Sequence, residues 1–217
     1  MKVCTDACIQ GAYTVQHASS AQRIMDIGAG TGLLSLMLAQ QLPAVITAVE
    51  LDTAAATQAS ANIAASPWAN RIQVLVKDAR ELPVTTQYEF IITNPPFYEA
   101  DLKSNDKLRN QAMHATTLDY AALLKVIADH LTPSGSFSIL LPSRPFDDFV
   151  ALAVAAGFYP QQVLAVRQSV HHDYFRSVGI FSRREGVPEV QDMAIRDAEN
   201  NYTSAFIHLL QPYYLYL

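Results

Sequence analysis

The chain has 217 residues, 50% hydrophobic and 16% charged, with a formal net charge of −5. That length suits one α/β domain with a sizeable core, and no apolar run reaches the roughly 20 residues that cross a bilayer. Its two cysteines, Cys4 and Cys8, have no second pair and no neighbouring His cluster, so neither a zinc site nor a disulfide framework is expected.

The N-terminal stretch MKVCTDACIQGAY lacks the apolar h-region of a secretory signal. A cytoplasmic chain with reduced thiols is expected. Charge is unevenly spread. Residues 1–99 carry 5 basic and 8 acidic side chains, residues 100–184 carry 9 and 7, and residues 185–217 carry 1 and 5. The middle segment is the least acidic, and a polyanion would meet the chain there.

In chain order, strands and helices alternate. QRIMDIG (22–28) reads as an apolar strand closed by glycines, and LLSLMLAQQL (33–42) as a helix. AVITAVEL (44–51) is β-branched and strand-like. TAAATQASANIAAS (53–66) is an alanine-rich helix stopped by Pro67. RIQVLVKDA (71–79) and YEFIITN (88–94) are the third and fourth strands. LDYAALLKVIADHL (118–131) is a helix with PSG as its stop, and SFSILLPS (136–143) is the fifth strand. PFDDFVALAVAAGF (145–158) is a helix with Pro145 near its start and Gly157 near its end. QQVLAVRQ (161–168) and SVGIFSRR (177–184) form a last antiparallel hairpin. Continuous apolar strands alternating with helices imply a mostly parallel, seven-stranded α/β sheet covered on both faces. Ligands of such sheets lie outside the carboxyl ends of the strands, near the topological switch point.

Four strand ends carry the chemistry. The first reads DIGAGTG, Asp26 to Gly32. Gly28, Gly30 and Gly32 let the backbone turn tightly and approach a ligand. The G-x-G-x-G spacing is not the G-x-G-x-x-G of a dinucleotide fold. Asp26 would repel a pyrophosphate but suits an ammonium group. The second ends at Glu50, 18 residues past Gly32, where an acid accepts hydrogen bonds from ribose hydroxyls. Asp52 is a second candidate or the N-cap of the next helix. The third ends at Asp78, which either accepts from the exocyclic amine of an adenine or caps a turn.

The fourth reads TNPPF. Each proline removes a donor and fixes its φ, and Asn94 is pushed toward an extended conformation. The Asn94 side chain and the Pro95 carbonyl become two rigid acceptors, suited to an amino group with two hydrogens. Phe97 offers a face for stacking a planar group.

DIGAGTG, VELD, KDAR and NPPF together resemble the successive motifs of class I S-adenosylmethionine-dependent methyltransferases, in the amino-group subset. MKVCTDACIQGAYT, NIAASPWANRIQV, TTLDYAALL and NNYTSAFIHLLQPYYLYL extend the resemblance along nearly the whole chain, to the family of bacterial tRNA1(Val) (adenine(37)-N6)-methyltransferases. Relatives usually carry further residues ahead of the position matching Met1, and often a glycine where this chain has Cys4.

The resemblance implies a Rossmann-like class I methyltransferase occupying residues 1–217. Residues 1–20 would form a cofactor-pocket segment, 21–184 the catalytic core, and 185–217 an extension packed on it. It implies S-adenosylmethionine held by Thr5, Asp6, Asp26, Gly28, Gly30, Gly32, Glu50, Asp78, Ala79 and Asn94. Asn94, Pro95, Pro96 and Phe97 would take the target nitrogen, in the anticodon loop of a tRNA. No metal is required, no membrane contact is expected, and the chain is expected to be a monomer.

Lys103, Lys107 and Arg109 follow the NPPF loop; Arg167 precedes VHHDYFR and Arg176 ends it, an aromatic–basic mixture suited to a nucleic-acid rim. The histidine pair there lacks ligands at metal spacing. Other amino-group methyltransferases share the motif, acting on guanine N2 of ribosomal RNA or on a protein glutamine amide. An amide and a base amine present similar NH2 groups, so TNPPF alone does not separate them.

Overall fold

The computed structural model describes residues 4–95 and 120–217. Eight strands form one sheet in the order β3-β2-β1-β4-β5-β7-β6-β8. They are β1 (Arg23–Ile27), β2 (Val45–Glu50), β3 (Ile72–Val76), β4 (Tyr88–Thr93), β5 (Leu131–Pro142), β6 (Tyr159–Ser169), β7 (Tyr174–Ser182) and β8 (Glu189–Arg196). From β3 to β5 all neighbours pair parallel. β7 runs antiparallel to both β5 and β6, and β8 pairs parallel with β6. The helices among the described residues are α1 (Thr5–His17), α2 (Leu33–Gln41), α3 (Thr53–Ala64), α4 (Tyr120–His130), α5 (Ser143–Ala155) and α6 (Ser204–Leu210).

The central strands are mostly apolar because both faces are covered. Alternate residues of β1 show it: Ile24 packs with Leu38, Ile46, Phe90 and Phe206 under α1, α2, α3 and α6. Met25 and Ile27 join Ile91, Phe137, Phe149 and Phe181 under α4 and α5 on the other face.

The sequence reading of the parallel sheet and last hairpin holds, with two differences. The sheet has eight strands rather than seven. β8 falls in the expected C-terminal extension, and its exposed first half, with Glu189, Gln191 and Asp192, carries no apolar signature. Second, PSG does not stop a helix ahead of β5 but lies inside that strand. There the register jumps from Tyr88↔Leu131 to Phe90↔Ser136, and Pro133 and Gly135 suit the bulge this requires. Asp52 is the N-cap of α3, accepting from the Ala55 N–H at 2.7 Å. Gly157 follows α5 with φ 79°, and Phe158 N–H closes back on Ala153 O at 2.8 Å, a left-handed stop that glycine adopts freely.

Candidate active site

The strand order reverses between β1 and β4, so the glycine turn and Asn94 emerge side by side. Ile27 pairs with Thr93 in the last register position of that ladder. Gly28 takes φ 72° and Gly32 φ 84°. Among the described residues, a Cβ on Gly28 would meet nothing within 4 Å, whereas one on Gly32 would sit 3.4 Å from Ala59 of α3.

Glu50 holds this turn in place. One carboxylate oxygen accepts from Gly30 N–H at 2.7 Å and the other from Asp52 N–H at 2.8 Å. An ionised carboxylate has about four acceptor sites, so each oxygen retains capacity for a hydroxyl. Asp26 is fully buried beneath the turn. Its Oδ2 accepts from the N–H and hydroxyl of Ser35, in the first turn of α2, at 3.1 and 2.7 Å. Its Oδ1 has no partner among the described residues. Burial pushes the carboxyl up to about 6, Ser35 opposes the shift, and Glu50 adds to it. A cation reaching Oδ1 would favour the charged form.

Among the described residues, a buried carboxylate oxygen without a partner and unused acceptor capacity on Glu50 fit the ammonium and ribose hydroxyls of S-adenosylmethionine.

Asp78 caps the short 3-10 turn Ala79–Glu81, accepting from Arg80 N–H at 2.9 Å and Arg80 Nε at 3.0 Å. The Arg80 side chain holds this carboxyl below its ordinary value. Of the two sequence alternatives, capping is the one the geometry displays; an adenine amine would share the group with Arg80. Ala79 is buried against Met25, Ile27 and Val49.

Asn94 is half-buried and Pro95 buried at the end of β4. Pro96, Phe97, Lys103, Lys107 and Arg109 lie outside the described residues. Beneath Asn94 is a polar group that sequence reasoning missed. Gln10 of α1 donates its amide to the Thr93 carbonyl at 2.8 Å and lies 3.4 Å from Ser138 Oγ, which also accepts from Thr14 at 2.7 Å. The Thr93 hydroxyl donates to the Ile27 carbonyl at 3.0 Å.

Thr5 and Asp6 open α1. Asp6 accepts from Ala7 N–H at 3.0 Å and from Arg176 Nε at 2.8 Å. The Tyr214 hydroxyl, from the C-terminal tail, bonds to Thr5 and Cys8, and burial pushes it up to about 12. Arg176 also donates to Phe175 O at 3.0 Å. Arg167 pairs with Asp192 of β8 at 3.0 Å and lies over the Tyr174 ring at 5.6 Å. Both arginines expected at an RNA rim are thus engaged within the protein. Cys4 and Cys8 are not joined in a disulfide. Among the described residues, no group of three or more His, Cys, Asp or Glu could hold a metal. No helix there is long and apolar enough to cross a membrane.

The sheet order, glycine turn and acid-terminated strands define a class I S-adenosylmethionine-dependent methyltransferase. The predicted O-methyltransferase of Agrobacterium tumefaciens superposes with a TM-score of 0.71 at 15% identity, covering 95% of this chain and 96% of its own. The glycopeptide N-methyltransferase MtfA complexed with S-adenosyl-L-methionine superposes at 0.61, with 12% identity, over 82% of this chain and 94% of its own. These likenesses show the fold. Residues 12–142 match the methyltransferase small domain family. A tRNA1(Val) (adenine(37)-N6)-methyltransferase of Pectobacterium carotovorum is 38% identical over 221 residues, covering 100% of this chain and 88% of its own. The chain belongs to the tRNA1(Val) (adenine(37)-N6)-methyltransferase family.

Proposed function

We propose that this enzyme methylates N6 of adenine 37 in the anticodon loop of tRNA1(Val), using S-adenosylmethionine. The observation that carries this reading is the identity to a relative of that name along the entire chain. The emergence of Asn94 and Pro95 beside the glycine turn supports it.

When bound, the cofactor supplies an electrophilic methyl on a sulfonium. Glu50 would take the ribose hydroxyls with its remaining lone pairs, Asp26 Oδ1 would take the ammonium, and Gly28, Gly30 and Gly32 would let the backbone come close. Thr5, Asp6, Asp78 and Ala79 complete the wall. The N6 lone pair of adenine is delocalised into the ring, so this nitrogen is a weak nucleophile. The Asn94 side-chain oxygen and the Pro95 carbonyl accept its two N–H bonds and favour a pyramidal nitrogen with its lone pair aimed at the methyl. Positioning and electrostatics provide the acceleration. The proton leaves afterwards from a cationic product, so no general base of tuned pKa is needed. A base in an anticodon loop leaves its stack more easily than one in a duplex. Phe97 stacks on it, a contact worth roughly 1–3 kcal/mol, and Lys103, Lys107 and Arg109 take the RNA backbone. The enzyme acts as a monomer in the cytoplasm, where tRNA is found.

Transfer of labelled methyl to total tRNA, followed by nucleoside analysis, tests the reading. N6-methyladenosine at position 37 of one valine tRNA is expected. Label confined to protein or ribosomal RNA would overturn it in favour of another NH2 target.

A further inference from the structure

Gln10 is fully buried in the middle of α1, a helix whose residues from Ala7 to Thr14 are all buried. Its amide reaches the last carbonyl of β4, that of Thr93, at 2.8 Å. The orientation is forced: turned over, the amide would set its own oxygen against the Thr93 carbonyl, two acceptors face to face. The remaining amide oxygen, Oε1, has no partner among the described residues. Its desolvation offsets part of the gain from the bonds to Thr93 and Ser138.

What the bond does is geometric. The Thr93 carbonyl and the Asn94 N–H belong to one planar peptide unit. The Thr93 hydroxyl is fixed on the Ile27 carbonyl at 3.0 Å, which anchors the same residue to the strand that ends in the glycine turn. With both groups held, the peptide plane leading into Asn94 has one orientation.

We propose that Gln10 is a positioning residue for methyl transfer, holding the Thr93–Asn94 peptide so that the Asn94 side chain and the Pro95 carbonyl point at the target amine. The proposal rests on the amino-methyltransferase reading of Asn94. It places the control of the acceptor-binding turn on α1, in the N-terminal segment and far from TNPPF in sequence.

Three variants test it in the full chain. Gln10→Leu removes the donor and keeps the volume; kcat should fall about tenfold to a hundredfold, the scale of a small misplacement of reacting groups. Calorimetric affinity for S-adenosylmethionine should stay as in the wild type. Thr14→Val removes a neighbouring buried hydroxyl bond, that to Ser138, without touching Thr93. It should lower Tm yet hold kcat within about twofold. Gln10→Glu places a buried carboxyl that is neutral at mildly acidic pH and can donate to the Thr93 carbonyl. Turnover there should approach wild type and decline as the pH rises, a profile absent from Gln10→Leu. The proposal is overturned if Gln10→Leu keeps wild-type kcat, if Thr14→Val loses as much turnover, or if Gln10→Glu is no better than Gln10→Leu at any pH. Wild-type enzyme that methylates no tRNA would defeat the functional reading instead.

Discussion

The two ends of the sheet order treat polar side chains differently. At the carboxyl ends of β1 and β2, Asp26 and Glu50 are held by backbone N–H groups and Ser35 and still have acceptor capacity unused. At the other end, around β6, β7 and β8, Arg167 and Arg176 are engaged with Asp192 and Asp6, and Arg184 with Gln161. A backbone-held acid is oriented without being neutralised, so it can take a ligand. An arginine paired with an acid has its charge met inside the protein. Charge in sequence therefore does not locate an RNA surface, because the fold decides which charges remain to be used.

The contrast is broken most severely at Asn94. Asn94→Ala should bind S-adenosylmethionine normally but lose about 10²–10³-fold in kcat, the scale of removing one preorganised polar group from a reacting centre. Surviving turnover would remove Asn94 from the chemistry. Glu50→Ala loses both the tether on Gly30 and the ribose acceptors. Bonds to a charged group are worth about 1.5–3 kcal/mol, so calorimetry should read cofactor binding roughly tenfold to a hundredfold weaker; an unchanged affinity would detach Glu50 from the ribose.

A third variant concerns pH. Burial raises Asp26 from an ordinary 3.8 to about 6. Between these values the folded chain keeps a proton the unfolded chain has released. Asp26 therefore makes stability fall as pH rises from about 4 to about 6, by about 3 kcal/mol, with no further change above. Asp26→Asn should flatten that slope in denaturant titrations, and an identical slope in the variant would show that another group is responsible. If Oδ1 meets the cofactor ammonium, affinity should strengthen as pH rises through about 6 in the wild type and not in Asp26→Asn.

The smallest effects sharpen the comparison. Arg167→Ala should leave tRNA affinity within about twofold and cost at most about 1 kcal/mol of stability, since the pair with Asp192 is partly exposed. Lys103→Ala with Arg109→Ala should instead weaken tRNA binding and lower the salt slope by roughly 1–2. Filter binding at several salt concentrations separates the two, and an Arg167 variant with the larger loss would reverse the assignment.

Much of the site was legible because its signals are local. A glycine turn, an acid ending a strand and two prolines after an asparagine each announce their backbone requirement within a few residues. The helix α1 was not legible, for a physical reason. With eight consecutive residues buried, from Ala7 to Thr14, it has no polar face and hence no amphipathic period to read. β8 escaped notice for the opposite reason, as a half-exposed edge strand whose pairing with β6 is decided by register rather than by apolar content.

The sequence by itself determined the alternation of strands and helices, the parallel core and the chemistry expected at each strand end. These follow from periodicity, turn geometry and side-chain type, which are properties of short segments. Only the tertiary structure decided that Arg167 and Arg176 are engaged internally, and that Gln10 lies under the peptide leading into Asn94. Those contacts join residues on separate elements, and Gln10 and Thr93 are 83 positions apart. A hydrogen bond over that separation is set by how helices pack on a sheet, which no local pattern encodes.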